Sequence, residues 1–183
     1  MPMRRAFIAP MTMAVALTSS AWAGGVPSPN LGQKPSAEQL ADIDISIPPD
    51  GRGLPAGSGS VAQGAMIFTA KCQACHGTNG VGGPNDRLTG GVGSLTTPKP
   101  VKTVASFWPY ATTVFDYIRR AMPLTAPQSL TNDEAYALTA YLLSVDGIVP
   151  EEAVLDAKSL PQVKMPNREG FVSWAAKEQP GGH

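Results

Sequence analysis

Charge is what this chain has least of. Only 15% of its 183 residues are Asp, Glu, Lys or Arg, and fourteen basic residues are offset by fourteen acidic ones. That scarcity excludes a coiled coil and a charge-driven disordered chain. The balance of sign leaves no basic stripe of the kind phosphate binding needs, so nucleic acid is excluded as a partner. Long apolar runs are missing too: past the N-terminal segment nothing approaches the roughly 20 apolar residues that cross a bilayer. Cysteine and histidine are down to two each, which leaves no convincing set of four ligands for a structural zinc. What the chain has in excess is Gly and Pro, 19 and 18 of them, and a length that suits one domain of ordinary size.

The first residues read as an export signal rather than as part of that domain. Met1 to Arg5 carries two arginines, Ala6 to Leu17 is apolar, and Ala21-Trp22-Ala23 is a small-x-small cleavage pattern. Cleavage is expected after Ala23. The apolar stretch is short and broken by Pro10, Thr12 and Thr18, which disfavours the alternative of an uncleaved membrane anchor. The mature chain, Gly24 to His183, would then work in the periplasm with 160 residues, long enough to bury one core.

Export makes cysteines candidates for a disulfide, but the two here, Cys72 and Cys75, are followed directly by His76. A C-x-x-C-H run is the covalent attachment sequence of c-type haem. Each thiol adds to a porphyrin vinyl group, and the adjacent imidazole becomes the proximal iron ligand. Cysteines three positions apart fall one helical turn apart, so they reach the two vinyl edges while the next ring turns under the iron. The alternatives are a thioredoxin-like redox pair and half of a zinc site. The former wants the pair after a strand at a helix start, whereas here it ends a helical segment.

Around the motif, 24–57 is a Pro/Gly-rich arm interrupted by one short helix at Ser36-Ala37-Glu38-Gln39, a capping-box pattern. The haem-bearing domain is expected over 58–149. Ser60 to Lys71 reads as a helix with Val61, Ala65, Ile67 and Phe68 on its apolar side. Gly80 to Pro100, with six Gly and three Pro, must be a loop. Thr113 to Ala121 is a second helix, stopped by Pro123. Thr131-Asn132-Asp133-Glu134 is a capping box opening a third helix toward Gly147. In the C-terminal extension, 150–183, Glu151 to Lys158 is expected to add a short helix, and Leu160 to His183 to run as an extended tail with Phe171 and Trp174.

This order of parts resembles a class I cytochrome c, an all-α fold around one covalent haem. Gly64 and Phe68 are similar to the small and aromatic positions of that family's N-terminal helix, and Tyr141 to the aromatic on the C-terminal helix that crosses it. Gly82-Gly83-Pro84 and Leu88 look like the stretch after the motif. The resemblance implies that the Pro84 carbonyl orients His76 and that Leu88 lines the pocket. Such a hydrogen bond fixes the imidazole tautomer and makes the ligating nitrogen a better donor.

The sixth ligand is approached by elimination. His183 is terminal and beside two glycines, and Met66 lies on the helix leading into Cys72, on the wrong side to oppose His76. Met122, in Arg120-Ala121-Met122-Pro123, stands where the family puts its ligand, and Pro123 turns it out of the helix. Met165-Pro166 is the rival, and core filling is the bland alternative for either. His/Met coordination fills both axial positions and leaves a centre that moves single electrons. A missing or labile sixth ligand would instead suit a peroxidase-like enzyme or a sensor. Arg119 and Arg120 are candidate partners for a haem propionate. Asp116, Asp133, Glu134, Glu151 and Glu152 read as solvated carboxylates at helix starts or on polar faces.

A narrower resemblance lies in Ser106 to Pro123 (SFWPYATTVFDYIRRAMP), in Pro49 to Pro55 (PDGRGLP) and in Met165-Pro166-Asn167-Arg168. These are similar to the cytochrome subunit of the sulfane dehydrogenases of bacterial thiosulfate oxidation, which accepts electrons from a molybdenum-cofactor subunit. That subunit typically carries two haem domains, and this chain, with a single C-x-x-C-H, looks like the first alone. The resemblance implies a molybdoenzyme donor, of sulfane, sulfite or another substrate, and a respiratory acceptor. Pro98 to Tyr110, the arm and the tail offer a partner-binding surface or simply a cover for haem and core.

Overall fold

The computed structural model describes residues 31–41 and 43–172. The expected signal segment, Trp174 and His183 lie outside them. The chain divides after Ser36: residues 31–36 of the first unit are exposed and carry no helix or strand, and the second unit, Ala37–His183, holds everything that follows.

Among its described residues the second unit holds six α-helices, three 3₁₀ turns and one pair of short strands. The helices are α1 (Ala37–Ala41), α2 (Val61–Lys71), α3 (Gln73–His76), α4 (Val104–Phe107), α5 (Ala111–Ala121) and α6 (Asn132–Val145). Strands β1 (Ser58–Ser60) and β2 (Val154–Asp156) pair antiparallel, with Gly59 opposite Leu155. Three helix starts are capping boxes in which a hydroxyl and the side chain three residues on exchange hydrogen bonds with each other's amides: Ser60 with Gln63, Thr103 with Ser106, and Thr131 with Glu134.

Helix α6 is the centre. Every residue from Ala135 to Ala140 is buried, as suits a helix enclosed by its own protein. Helix α2 crosses it at Gly64, where an added Cβ would come within 2.6 Å of the Tyr141 Cβ and closer still to the Ala137 carbonyl. The absent side chain sets the interhelical distance. Phe68 and Tyr141 close the crossing with ring centroids 5.2 Å apart. Helix α5 packs on α6 through Phe115 and Tyr136, at 4.4 Å. The small-plus-aromatic hub and the all-α class are as the sequence implies.

Two expectations are corrected. Glu151 to Lys158 forms no helix: Val154–Asp156 is β2, paired with the residues just before α2. Local helix signals there are overridden by Leu155, which reaches the core on the buried face of the strand. Nor is the segment from Leu160 an extended tail: Leu160 begins a 3₁₀ turn, and Leu160 and Met165 are both core residues. Asn167 then fastens the chain by donating from Nδ2 to the Phe107 carbonyl at 2.7 Å. The arm likewise contributes to the core through Ile47, only 4% exposed.

Candidate functional site

The C-x-x-C-H residues sit at a bend. Helix α2 ends on Cys72, whose amide still donates to the Phe68 carbonyl at 2.9 Å but whose backbone (φ −122°, ψ −34°) leaves the helix path. Helix α3 then restarts for one turn, and the amides of Cys75 and His76 both donate to the Cys72 carbonyl, at 3.1 and 3.0 Å. That turn places the two cysteines on consecutive ridges of one helical face. Gly77 ends it at φ +77°, with Val81 so close that a Cβ has no room.

Both thiols are free; Cys72 is half-buried against the core and Cys75 exposed. Burial pushes the Cys72 thiol up to about 11, with Lys71 opposing and Cys75 adding to the shift. A redox dithiol relies on an environment that favours thiolate, and the burial of Cys72 works in the other direction. Among the described residues no group of three or more His, Cys, Asp or Glu is arranged to hold a metal ion.

His76 is half-buried, and its Nδ1 lies 2.9 Å from the carbonyl oxygen of Asp86. A carbonyl only accepts, so Nδ1 carries the proton and Nε2 keeps its lone pair for a metal. The acceptor is Asp86 and not Pro84. Gly83 lies against the backbone of the motif, and the Asn85 amide donates to the Cys75 carbonyl at 3.0 Å. These contacts fix the register so that the carbonyl two residues beyond Pro84 meets the ring, while Pro84 itself is exposed. Leu88 is half-buried against the core and is held by its amide on the Gly80 carbonyl at 2.8 Å.

Two free thiols one helical turn apart, beside an imidazole whose only committed nitrogen is Nδ1, are the donor set that covalent haem c uses. The residues therefore fit that group.

The two candidate methionines are in different surroundings. Met122 is the C-cap of α5, extended at φ −113° and ψ 149°, half-exposed, with its amide on the Ile118 carbonyl at 3.1 Å. Met165 is 3% exposed among the apolar side chains of the core, the setting of a filler. Met66 is 68% exposed on α2. Trp108 stacks edge-on against Tyr117, five residues before Met122, at 5.6 Å.

Arg119 and Arg120 bond toward the arm. Arg119 donates from Nε to the Asn132 Oδ1 at 3.2 Å and from Nη1 to the Ile45 carbonyl at 3.4 Å. Arg120 pairs with Asp116 and donates to the Ser46 hydroxyl at 3.4 Å. Asp116 is not the solvated carboxylate its sequence position suggests: it is 7% exposed and accepts from the Ile47 amide at 2.9 Å. A partner 69 residues away is what buries it. No helix among the described residues is long and apolar enough to cross a membrane.

Comparison with known proteins agrees with this reading of the motif. The family model described as cytochrome c matches residues 61–146. Among solved structures, a chain of the sulfane dehydrogenase SoxCD from Paracoccus pantotrophus is 41% identical, with a TM-score of 0.76, covering 84% of this chain and 76% of that one. No curated protein matches the sequence.

Proposed function

The chain belongs to the cytochrome c family, and from that premise we propose that it is a monohaem electron carrier of the periplasm, serving a molybdenum-cofactor sulfane or sulfite dehydrogenase as acceptor and a respiratory partner as donor. Haem c supplies an iron that alternates between ferric and ferrous states; the protein's part is to hold it, tune it and shield it. Cys72 and Cys75 would carry the two thioether links. His76 would ligate through Nε2 while the Asp86 carbonyl holds its ring, and the proton on Nδ1 stays in place throughout. Met122 would supply the sixth ligand. With a neutral thioether and a histidine as its protein ligands the iron would have a raised potential and no position left for substrate, which favours a carrier over a peroxidase-like enzyme or sensor. Arg119 and Arg120 would be the candidate partners of a haem propionate, each with guanidinium N–H groups beyond those already bonded.

The observation that carries this reading is His76: a motif imidazole with Nδ1 committed to a backbone carbonyl, beside two free thiols. The donor is supported by the likeness to a chain of the sulfane dehydrogenase SoxCD. The single C-x-x-C-H supports one haem, and the Arg4-Arg5, Ala6 to Leu17 and Ala21-Trp22-Ala23 pattern supports export. The test is stopped-flow reduction of the ferric protein by a trace of a sulfane or sulfite dehydrogenase with its substrate. Uptake of one electron per chain is expected. A ferric protein that stays oxidised with both enzymes, yet is reduced at once by dithionite, contradicts the assigned donor.

A further inference from the structure

We propose that Asp116 is a positioning residue for the sixth iron ligand: it fastens the arm, 45–49, onto α5 and thereby keeps Met122, at the end of that helix, on the iron. The inference rests on the reading of Met122 as that ligand.

Helix α5 is gripped from two sides. One side packs into the core through Phe115 against Tyr136. The other presents Thr112, Asp116, Arg119 and Arg120, at spacings of four, three and one, which share one helical face. All four meet the arm. The Thr112 hydroxyl donates to the Pro49 carbonyl at 3.0 Å, Asp116 accepts from the Ile47 amide at 2.9 Å, and the two arginines reach the Ile45 carbonyl and the Ser46 hydroxyl, both at 3.4 Å.

Asp116 is the member of this set whose loss the others cannot replace. It is buried, it is the acceptor for a buried backbone amide, and it is the carboxylate paired with Arg120. Without it the Ile47 amide loses its partner and the Arg120 guanidinium its counter-charge. Arm and helix then separate at their central contact.

The effect reaches Met122 because the ligand's backbone belongs to the last turn of α5, with its amide on the Ile118 carbonyl. The side chain follows the helix axis and roll. A neutral thioether is a weak ligand that stays on iron only while it is held there. A rise in the fraction of time it is off appears directly as a stronger apparent affinity for any outside ligand that competes.

The test uses the matured, haem-loaded full chain and the variants Asp116→Ala, Asp116→Asn, Thr112→Val and Met122→Ala. Two quantities are read on ferric protein at a temperature where far-ultraviolet circular dichroism shows each variant folded. They are the apparent affinity for imidazole and the intensity of the long-wavelength sulfur-to-iron charge-transfer band. Asp116→Ala is expected to raise imidazole affinity about tenfold and to weaken the band. Asp116→Asn, which keeps an oxygen for the Ile47 amide, should fall between it and the unmutated protein, with covalent haem content unchanged in both. Unaltered imidazole affinity in folded Asp116→Ala, even with a lowered unfolding midpoint, overturns the proposal. If Asp116→Ala does not fold, wild-type affinity in both Asp116→Asn and Thr112→Val overturns it instead. A charge-transfer band that survives in Met122→Ala overturns the ligand reading itself, a result distinct from Met122→Ala losing the band while the Asp116 variants keep theirs unchanged.

Discussion

Glu134 shows how a single side chain can serve two elements. It caps α6 by accepting from the Thr131 amide at 3.0 Å and joins α6 to the end of α2 through Lys71 at 2.5 Å. The hydrogen bond from Lys71, then the Thr131 amide, hold its carboxyl below the ordinary value of 4.5. A carboxyl lowered on folding adds stability above its unfolded pKa and loses it as pH falls through the folded one. Glu134→Gln, which can keep the capping bond as Gln63 does at the start of α2, is therefore expected to cost at most about 1 kcal/mol at neutral pH, as for a partly exposed ion pair. The difference from the unmutated protein should vanish in strong acid; urea unfolding at the two pH values measures it. At this scale the sequence was legible wherever chemistry sits in side chains: Cys72, Cys75 and His76 declare themselves by spacing. The Asp86 carbonyl does not, because a backbone acceptor has no residue signature and depends on the register of a glycine-rich loop. Asp116 escaped for a different reason: its burial depends on an arm 69 residues away.

Among elements, the helices that begin on a hydroxyl and a glutamate or glutamine were legible. Thr131 and Glu134 start α6 as the capping box predicts, and α2 starts at Val61 with Ser60 as its cap. Helix α4 escaped because its box closes with Ser106 in place of Glu or Gln. Strands β1 and β2 escaped because three residues each are too few to show a period of two; only the tertiary pairing defines them. The α2–α6 crossing is where element packing is most exacting. Gly64→Ala forces a methyl into the Ala137 carbonyl and the Tyr141 side chain, and overpacking of this kind costs about 1–3 kcal/mol. Denaturant unfolding should show the unfolding free energy falling by that amount, with a lower midpoint. An unchanged midpoint would mean that the two helices do not cross in contact at this glycine.

For the molecule as a whole, the two Pro/Gly-rich ends are structural members. Ile47 from the arm and Leu155, Leu160 and Met165 from the C-terminal segment complete the core formed by α2, α5 and α6. Composition marked the arm as loop, correctly for most of its described residues, but a few apolar side chains decide that the arm and the C-terminal segment pack. Met165→Ala should therefore behave as a core truncation, costing about 2–5 kcal/mol and leaving the iron's ligands untouched. That expectation separates it from Met122, and the pair frames the central claim. The measurement that tests the claim most directly is the optical spectrum of the matured protein, ferric and dithionite-reduced, with and without carbon monoxide, alongside Met122→Ala and Met165→Ala. A sharp low-spin c-type spectrum indifferent to carbon monoxide is expected, kept in Met165→Ala and converted to a carbon-monoxide-binding form in Met122→Ala. High-spin iron that binds carbon monoxide in the unmutated protein, or a spectrum that survives in Met122→Ala, would contradict it.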